Sequence, residues 1–301
     1  MDEKVALVTG AGRGIGRAVA LELARCGWAL MVNDLGAGSD GGGSADESPA
    51  KQVAEEIRAG GGRAAVSGAN VADPDAARGL VQAAVTELGG LHGVVNCAGI
   101  LRDKIFHKMT DEDWSSVIQV HLMGSFAVSR AAAEVFRAQG GGAFVHMTST
   151  AGLIGNLAQA NYSAAKLGIV GLSRSIALDM ERFGVRSNAV APFAWSRLIG
   201  TLPEDTPEEK ARVARMKAMT PEQVAPLTAY LLGAESAAIS GQVFVVRGNE
   251  IMLMSQPRPV RTLQRSDGWT QDDLVAQFGP AIRPSLVPLE TSPQVFSYDP
   301  I

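Results

Sequence analysis

A glycine-rich turn near the N-terminus constrains the fold of this chain more than any other feature. Residues 9–16 read TGAGRGIG and lie between an apolar run, Val5–Thr9, and a segment whose apolar residues recur at helical spacing. In such a strand–turn–helix unit, Gly10 permits a tight turn, Gly14 lets the backbone approach a pyrophosphate, and Gly16 lets the helix pack on the strand. The start of the helix also offers free N–H groups and the positive end of its dipole to phosphates. The turn therefore predicts a dinucleotide-binding unit.

Short apolar runs alternate with helical patterns along most of the chain. We expect strands at Val5–Thr9, Leu30–Asn33, Arg63–Val66, Gly93–Cys97, Phe144–Thr148, Val185–Val190 and Val243–Val246. We expect helices at Ile15–Cys26, Pro49–Ala59, Pro74–Leu88, Asp111–Gln139, Asn161–Phe183 and Pro221–Leu232. Apolar runs without polar alternation are typical of strands covered on both faces, as in parallel sheets. The pattern predicts an α/β, single-domain Rossmann fold, with a doubly wound parallel sheet of about seven strands and a C-terminal extension.

The length of the chain suits one large core with a tail. Its 301 residues approach the size at which a single core divides into two. We expect residues 1–250 to form the dinucleotide-binding and catalytic domain, with a substrate lid at residues 193–219. Half of the 14 prolines lie at or beyond position 257, and proline interrupts both helices and sheets. Residues 251–301 are therefore expected to be a wrapping extension and not an independent domain.

One short helix is predicted within this extension. Thr270 is a candidate N-cap, Asp273 stands at the capping-box position, and Gly279 is expected to end the helix. No further strand–helix–strand unit is expected there, because the prolines are too closely spaced.

Charge and cysteine content exclude several classes of protein. The formal net charge is −4, which leaves no basic excess to hold a nucleic-acid backbone. The two cysteines, Cys26 and Cys97, stand alone on separate predicted elements, which indicates neither a disulfide framework nor a metal site, and we expect both to be buried, small and apolar. No apolar run reaches the ~18 residues of a membrane span, and no signal peptide is visible. We expect a cytoplasmic protein without metal, membrane or nucleic-acid partners.

An acidic residue at the end of the second strand bears on the choice of dinucleotide. Asp34 follows Asn33 there, and a carboxylate at this point can bind the adenosine ribose 2′-hydroxyl and repel a 2′-phosphate. This favours NAD over NADP, although Asp34 could also be an ordinary loop aspartate. Arg13, within the glycine-rich turn, could hold a 2′-phosphate and favours NADP. We give Asp34 more weight, because like-charge repulsion at short range is hard to offset.

A tyrosine and a lysine four residues apart suggest the chemistry. Tyr162 and Lys166 start a predicted helix and share one face of it, and Ser149 ends the preceding strand. An alcohol that gives a hydride to nicotinamide must also lose a proton, but a free tyrosine has a pKa of ~10, too high for an efficient base. A neighbouring ammonium and the cationic nicotinamide would lower that pKa. Ser149 can hydrogen-bond the substrate oxygen. The alternative is an ordinary helix face that carries a tyrosine and a lysine.

Together, these motifs resemble those of the classical short-chain dehydrogenase/reductase family. The turn at 9–16, NCAG at 96–99, Ser149 and YSAAK at 162–166 occur in that family's order, and the resemblance covers roughly residues 4–250. It implies that Tyr162 is the acid/base, that Lys166 binds the nicotinamide ribose and lowers the tyrosine pKa, that Ser149 orients the substrate, and that Asn96 and Gly99 close over the adenosine. The positions expected to contact the cofactor are Gly10, Arg13, Gly14, Ile15, Gly16, Asp34, Asn70, Val71, Asn96, Ala98, Gly99, Tyr162, Lys166 and Pro192.

Four further stretches resemble a narrower group. Residues 33–44, 102–114, 120–126 and 155–169 are similar to the (3R)-hydroxyacyl-CoA dehydrogenase part of peroxisomal multifunctional enzymes of type 2 and to bacterial members linked to acyl-CoA and steroid breakdown. This resemblance implies NAD-dependent oxidation of a hydroxyacyl-CoA or a similar bulky secondary alcohol. Two alternatives stay open: an NADPH-dependent reductase of a ketone or an acyl-carrier-protein substrate, and a non-catalytic dinucleotide-binding sensor or scaffold.

Three positions depart from the family pattern. His121 stands where classical members carry an asparagine beside a helix kink and a proton-relay water, and the hydroxyacyl-CoA group also has histidine there. His121 could relay a proton or could be a hydrogen-bonded histidine without a catalytic role. Pro192 is followed by Phe193 in place of glycine. Asn70 stands in place of an aspartate that touches adenine, and its amide can make the same hydrogen bond.

The substrate side and the oligomeric state are less constrained. Apolar residues that could line a pocket or simply pack the lid are Phe193, Trp195, Leu198, Ile199, Leu202, Met216 and Met219. Candidates for contact with CoA phosphates are Arg102, Lys104 and Arg197. The helices at 111–139 and 161–183 predict a homotetramer or homodimer. Their small and apolar residues, about half of which must cover the sheet, are Ala131, Ala132, Ala133, Val135, Ala165, Ile169, Leu172 and Ile176.

Overall fold

An eight-stranded sheet with helices on both faces forms the framework of the computed structural model, which describes residues 3–38, 40–43, 46–195 and 205–300. The strands, in chain order from β1 to β8, are Val5–Thr9, Ala29–Asn33, Ala64–Ser67, Gly93–Asn96, Gly142–Met147, Val185–Phe193, Val243–Arg247 and Glu250–Leu253. Their spatial order is β3-β2-β1-β4-β5-β6-β7-β8. All neighbours pair in parallel except β7 and β8, which are antiparallel. The predicted doubly wound Rossmann sheet is confirmed, with one described strand more than the seven expected.

The helices cover the two faces of this sheet. From α1 to α12 they span Gly14–Arg25, Ser48–Ala59, Pro74–Leu88, Asp111–Ile118, Gly124–Gln139, Thr150–Leu153, Ala160–Met180, Pro207–Ala218, Ala225–Leu232, Gln271–Asp273, Gly279–Ile282 and Ser292–Val295. Two π-helical turns lie at Gln119–Met123 and Leu274–Phe278. Short 3₁₀ turns lie at Phe106–Lys108, Glu181–Phe183, Pro221–Gln223, Ala234–Ser236 and Arg283–Ser285. None of the helices in the described ranges is long and apolar enough to cross a membrane.

Alternate residues of each central strand serve different cores. Val8 packs with Leu30 and residues of α1, α2 and α9 on one face, whereas Leu7 packs with Met31 and with Phe136 of α5 on the other. All five residues of β1 and of β2 are buried. A strand buried on both faces has no polar side, which explains why these runs show no polar alternation in the sequence.

The order of the strands determines where a ligand can bind. β1 lies between β2 and β4, so the chain order reverses at this point of the sheet. In open α/β sheets, ligands bind in the crevice beyond the carboxyl ends of the strands at such a switch point. The glycine-rich turn follows β1 and is therefore located at that crevice.

Several local predictions need correction. The single helix expected over Asp111–Gln139 is interrupted by the π-helical turn at Gln119–Met123. Thr270 and Asp273 form the predicted capping box, but Gly279 does not end the helical segment, because its φ is −54° and α11 continues through it. Cys26 is exposed at the end of α1, and only Cys97 is largely covered.

The first residues of the expected extension belong to the last strand of the sheet. The last strand, Glu250–Leu253, spans the limit placed at residue 250 and pairs with β7. The tail beyond it runs back across the molecule without forming a further strand–helix–strand unit in the described residues.

Candidate active site

A cleft of about 1060 Å³ opens at the carboxyl ends of the strands. Its lining includes the turn after β1, Asp34 after β2, Ser149 after β5 and Phe193 at the end of β6. Tyr162 of α7 also lines it. The sheet thus brings the predicted dinucleotide turn and two of the predicted catalytic residues into one cavity.

The three glycines of the turn have separate structural reasons. Gly10 and Gly14 have φ values of +63° and +52°, a region that side chains with a Cβ rarely adopt. A Cβ on Gly16 would lie 2.1 Å from the carbonyl oxygen of Gly10, so the helix could not pack so closely with any larger residue. The space where a Cβ of Gly14 would stand is open to 4 Å. These geometries agree with the tight turn, close packing and free approach expected of a phosphate-binding turn.

Asp34 is held in one orientation at the adenosine end expected from the sequence. Its Oδ2 accepts a hydrogen bond from the backbone N of Gly12 at 2.8 Å, and its Oδ1 accepts one from Gly36 at 2.7 Å. The carboxylate lines the cleft as well. Arg13 also lines the cleft, and its Nη1 lies 3.5 Å from the carbonyl oxygen of Ala37. Both groups that bear on the dinucleotide choice are therefore present at one site.

Ser149, Tyr162 and Lys166 meet where β5 and α7 adjoin. Ser149 is the N-cap of α6, and its Oγ accepts a hydrogen bond from Ala151 N at 3.1 Å. Lys166 is buried, and its Nζ donates a hydrogen bond to the carbonyl oxygen of Met147 at 2.6 Å. The same Nζ lies 5.5 Å from the centre of the Tyr162 ring. Lys166 does not itself line the cleft in the described structure. Ser149 and Tyr162 thus face the cleft, with Lys166 behind them.

Burial governs the ionisation of the tyrosine and the lysine. It raises the pKa of Tyr162 to about 12, while the hydrogen bond with Ser149 lowers it and the charge of Asp103 raises it further. Burial also lowers the pKa of Lys166 to about 8. In the chain without its cofactor, desolvation of the phenolate outweighs the effect of Ser149 on the pKa of Tyr162. The expectation that the Lys166 ammonium lowers this pKa stays a prediction.

His121 sits inside the π-helical turn, next to the tyrosine. Its Nε2 lies 3.1 Å from Ile100 N and 2.8 Å from Ile100 O, and its pKa is lowered to about 3, first by burial and then by Lys166. The imidazole is therefore neutral near pH 7. A Cβ on Gly99 would lie 2.2 Å from Cε1 of this ring. The small residue at position 99 thus makes room for the histidine.

The other expected cofactor positions divide into two sets. Ile15, Asn70, Val71, Ala98, Gly99 and Pro192 line the cleft as expected. The side chain of Asn96 does not. It is buried, and its Nδ2 lies 3.0 Å from Ser129 Oγ and 3.2 Å from His146 Nδ1. The Asn96 side chain therefore supports the strand end from within, and the expectation that Asn96 closes over the adenosine stays a prediction.

Sequence reasoning missed two positioning residues. The Oγ1 of Thr9 accepts hydrogen bonds from the backbone N atoms of Cys97 and Ala98 and so fixes the loop after β4. Asn161 is fully buried, and its Nδ2 donates to the carbonyl oxygens of Arg102 at 3.0 Å and Asp113 at 2.9 Å. The sequence did offer a signal for Asn161, because this asparagine directly precedes the tyrosine in a segment otherwise rich in small residues.

The substrate side is partly described. The residues Phe193, Trp195, Met216 and Met219 line the cleft, and α8 lies within the segment expected to be a lid. Arg102 lines it too but already pairs with Glu112 Oε1 at 2.8 Å. The predictions for Arg197, Leu198, Ile199 and Leu202 fall outside the described residues. No cluster of three or more metal-binding side chains occurs in the described ranges.

Comparisons with known proteins agree with this arrangement. The family model of short chain dehydrogenases matches residues 4–196. The hydroxyacyl-CoA dehydrogenase ChsB1 of Mycobacterium tuberculosis is 38% identical over 286 residues, which cover 91% of this chain and 86% of that protein. The peroxisomal multifunctional enzyme type 2 of Mus musculus is 44% identical over 246 residues, which cover 81% of this chain but only 32% of the mouse enzyme.

A bacterial reductase and a solved structure are also similar. The 3-oxoacyl-[acyl-carrier-protein] reductase FabG of Staphylococcus aureus is 36% identical over 254 residues, which cover 83% of this chain and 98% of that protein. The crystal structure of a short chain dehydrogenase from Mycobacterium avium superposes with a TM-score of 0.83 at 38% identity, covering 96% of this chain and 98% of the other. The matched family model, the order of the strands and the glycine-rich turn all agree. The chain therefore belongs to the short-chain dehydrogenase family and is an oxidoreductase of the kind that binds a nicotinamide dinucleotide.

Proposed function

We propose that this protein oxidises a secondary alcohol to the ketone with NAD⁺, and that the alcohol is a (3R)-hydroxyacyl-CoA or a steroid-type substrate. One observation carries the proposal: Ser149 and Tyr162 line the same cleft as the glycine turn and Asp34. A dinucleotide on the turn would extend along that cleft toward the tyrosine. Binding and proton transfer can then occur in a single cavity.

The residues present fit a nicotinamide dinucleotide. The open space at Gly14 and the start of α1 suit a pyrophosphate, and the oriented carboxylate of Asp34 suits a ribose diol. When bound, NAD⁺ would accept the hydride from the alcohol. In this proposal Ser149 orients the alcohol oxygen, Tyr162 takes its proton, and Lys166 supports the tyrosine from behind.

The raised pKa of Tyr162 supports a second part of this proposal, in which the bound cofactor helps to form the base. A phenol with a pKa of about 12 is almost fully protonated near neutral pH and is a poor base. The positive charge of a bound nicotinamide would favour the phenolate. We therefore propose that the base forms only when the cofactor is in place, which couples proton removal to cofactor binding.

An NADPH-dependent reductase is the first rival. The similarity to the Staphylococcus aureus reductase supports it, and Arg13 in the cleft offers a cation for a 2′-phosphate. Asp34 opposes it, because its two oxygens are fixed within the expected reach of the ribose. Titration of the purified protein with NADH and NADPH tests the choice, and tighter binding of NADPH would overturn the NAD assignment.

A non-catalytic dinucleotide sensor or scaffold is the rival of another class. Such a protein need not keep a serine, a tyrosine and a lysine close together beside its dinucleotide site. A panel of (3R)-hydroxyacyl-CoAs, sterols and simple alcohols, followed by NADH absorbance, tests catalysis and substrate class together. Turnover of simple alcohols only would contradict the acyl-CoA proposal, and no turnover of any alcohol would favour the sensor.

We also propose a homotetramer or homodimer. Most of the residues first expected on an outward face belong to the chain's own core: Ala132, Ala165 and Ile169 are buried, and Ala131, Ala133, Val135 and Ile176 pack against the core. Other apolar side chains are exposed on the same helices, namely Trp114, Met123, Phe126, Leu167 and Leu178. Light scattering that shows a stable monomer at micromolar concentration would overturn this proposal.

A cytoplasmic location is part of the same proposal. The two thiols, Cys26 and Cys97, are free in the structure, which suits a reducing compartment. Fractionation of cells that express the tagged protein tests it, with recovery in the cytosolic fraction as the expected result.

A further inference from the structure

The C-terminal extension returns to the cleft and reaches the residue that follows Ser149. The Oγ of Ser292 donates a hydrogen bond to the Oγ1 of Thr150 at 2.6 Å, across 142 positions of sequence. The backbone N of Ser292 donates to the carbonyl oxygen of Gly155 at 2.8 Å. Ser292 is 2% exposed, so both bonds are shielded from water.

These two bonds span the loop that carries the serine. Thr150 starts α6 and Gly155 follows its end, so Ser292 joins the two ends of a single helical turn. That turn is only four residues long, and its own backbone hydrogen bonds all run to the carbonyl oxygens of Ser149 and Thr150. Ser292 adds a connection between the two ends of this turn from outside it, one residue away from the N-cap, Ser149.

The tail is anchored on its far side as well. Arg247 is buried, and its Nη2 donates to the carbonyl oxygens of Phe296 and Tyr298. The ring of Phe296 packs against Phe193 with 5.1 Å between centroids, and Phe193 lines the cleft. Residues on both sides of Pro293 are thus tied to the catalytic domain.

Ser292 and Pro293 both line the cleft. We propose that the C-terminal extension forms one wall of the substrate end of this cleft and that Ser292 is a positioning residue, which holds the Ser149 loop by bridging Thr150 and Gly155. The inference rests on the proposed function only in giving Ser149 a role toward the substrate. The wall would restrict the size of the acyl or ring group that the enzyme accepts.

Ser292→Ala tests the positioning role, with two matched variants. Ser292→Thr keeps the hydroxyl, and Ser297→Ala removes an exposed hydroxyl from the same tail. One neutral hydrogen bond contributes modestly, so we expect hydrogen–deuterium exchange of the 150–155 amides to rise about three- to tenfold in Ser292→Ala only. We expect kcat/KM for (3R)-hydroxybutyryl-CoA to fall by a similar factor, with the Kd for NADH unchanged. Equal exchange in Ser292→Ala and Ser297→Ala would overturn the positioning role.

Pro293→Trp tests the wall. A larger side chain should raise the KM for (3R)-hydroxydecanoyl-CoA more than the KM for (3R)-hydroxybutyryl-CoA. An equal ratio of these two KM values in the variant and the wild type would overturn the proposal that the extension forms a wall.

The measurement of hydrogen–deuterium exchange at residues 150–155 needs no substrate. If the wild type turned over neither thioester while Ser292→Ala still loosened the loop, the proposed substrate would fail and the positioning role would stand.

Discussion

The imidazole of His121 meets the phenol ring of Tyr162 edge-on, with 5.2 Å between the ring centroids. The same imidazole contacts the backbone of Ile100 through Nε2, and its Nδ1 has no hydrogen-bond partner among the described residues. A neutral imidazole carries a proton on only one of its two nitrogens. It can therefore relay a proton only by accepting one on the first nitrogen and releasing one from the second. His121 therefore links the loop after β4 to the candidate base.

Two substitutions of His121 distinguish its contribution to stability from its contribution to turnover. Leucine removes both nitrogens, so the Ile100 backbone group that pairs with Nε2, either the N–H or the carbonyl according to the tautomer, loses its partner. We expect His121→Leu to unfold about 1–3 kcal/mol more easily, since an unsatisfied buried polar group costs that much. Asparagine keeps a polar group, so His121→Asn should be less destabilised and should retain more turnover. Urea unfolding and steady-state kinetics of both variants check this, and equal loss in both would contradict it.

Acid should destabilise the fold through two buried histidines. Burial lowers the pKa of His121 to about 3 and that of His146 to about 4, both below the ordinary value of about 6.5. The unfolded chain then binds more protons than the native chain, so stability is complete above about pH 6.5 and falls as the pH drops toward the folded values. At pH 5 each histidine should lower the free energy of unfolding by about 2 kcal/mol relative to its value at pH 7. Urea unfolding at pH 7 and pH 5 measures this.

The variant His146→Gln serves as the control for the acid effect. It lacks one of the two titrating groups and should lose less stability than the wild type over the same pH interval. An unchanged free energy of unfolding in the wild type between pH 7 and pH 5 would contradict the assignment of both histidines as neutral and buried.

Most of the fold was predictable because it depends on local patterns. Buried parallel strands and the turn at 9–16 leave clear signals in the sequence, and the structure confirms the doubly wound sheet that they predict. The π-helical turn at Gln119–Met123 leaves no such signal, because one extra residue barely changes a helical pattern of apolar residues. The last strand was missed because it directly follows a two-residue turn after β7.

The candidate site was predictable in its residues and less so in its energetics. The structure brings Ser149, Tyr162 and Lys166 together, but the raised pKa of Tyr162 depends on three-dimensional burial that spacing along the chain cannot reveal. The contact of Ser292 with Thr150 joins segments 142 residues apart, and no local pattern predicts such a contact. The roles of these residues stay predictions.

Asp34 should control the choice between dinucleotides. In Asp34→Ala the carboxylate is gone and Arg13 remains, so repulsion of a 2′-phosphate disappears. We expect the Kd for NADH to rise and the Kd for NADPH to fall, with the ratio shifting toward NADPH. Fluorescence titration with both cofactors measures the ratio. An unchanged ratio would show that Asp34 lies away from the ribose.

The glycine turn should tolerate no Cβ at position 16. In Gly16→Ala the new methyl group would stand 2.1 Å from the Gly10 carbonyl oxygen. That oxygen belongs to the backbone and the methyl group is bonded directly to Cα, so neither can rotate away and the turn must move. We expect a loss of about 1–3 kcal/mol of stability and much weaker NADH binding. Gly79→Ala is the matched control, because Gly79 lies in α3 with open space around it and the change should stabilise the helix. Thermal unfolding and NADH titration compare the two, and equal behaviour would contradict the steric argument.

Lys166→Ala should affect both binding and turnover. Its ammonium contacts the Met147 carbonyl oxygen and lies over the tyrosine ring, and we expect it to reach the nicotinamide ribose as well. The variant should bind NADH more weakly and turn over more slowly. Normal NADH affinity with slow turnover would limit Lys166 to the support of Tyr162.

Tyr162→Phe gives the most direct measurement, because it removes one oxygen and leaves the ring packing nearly unchanged. The phosphate-binding turn and Lys166 are intact in this variant, so the Kd for NADH and the substrate KM should stay near wild type. We expect kcat for alcohol oxidation to fall by ~10²–10⁴, the range for losing a positioned proton-transfer group. The measurement is single-turnover kinetics under conditions where chemistry limits the rate. A variant that keeps more than about a third of wild-type turnover would contradict the assignment of Tyr162 as the acid/base.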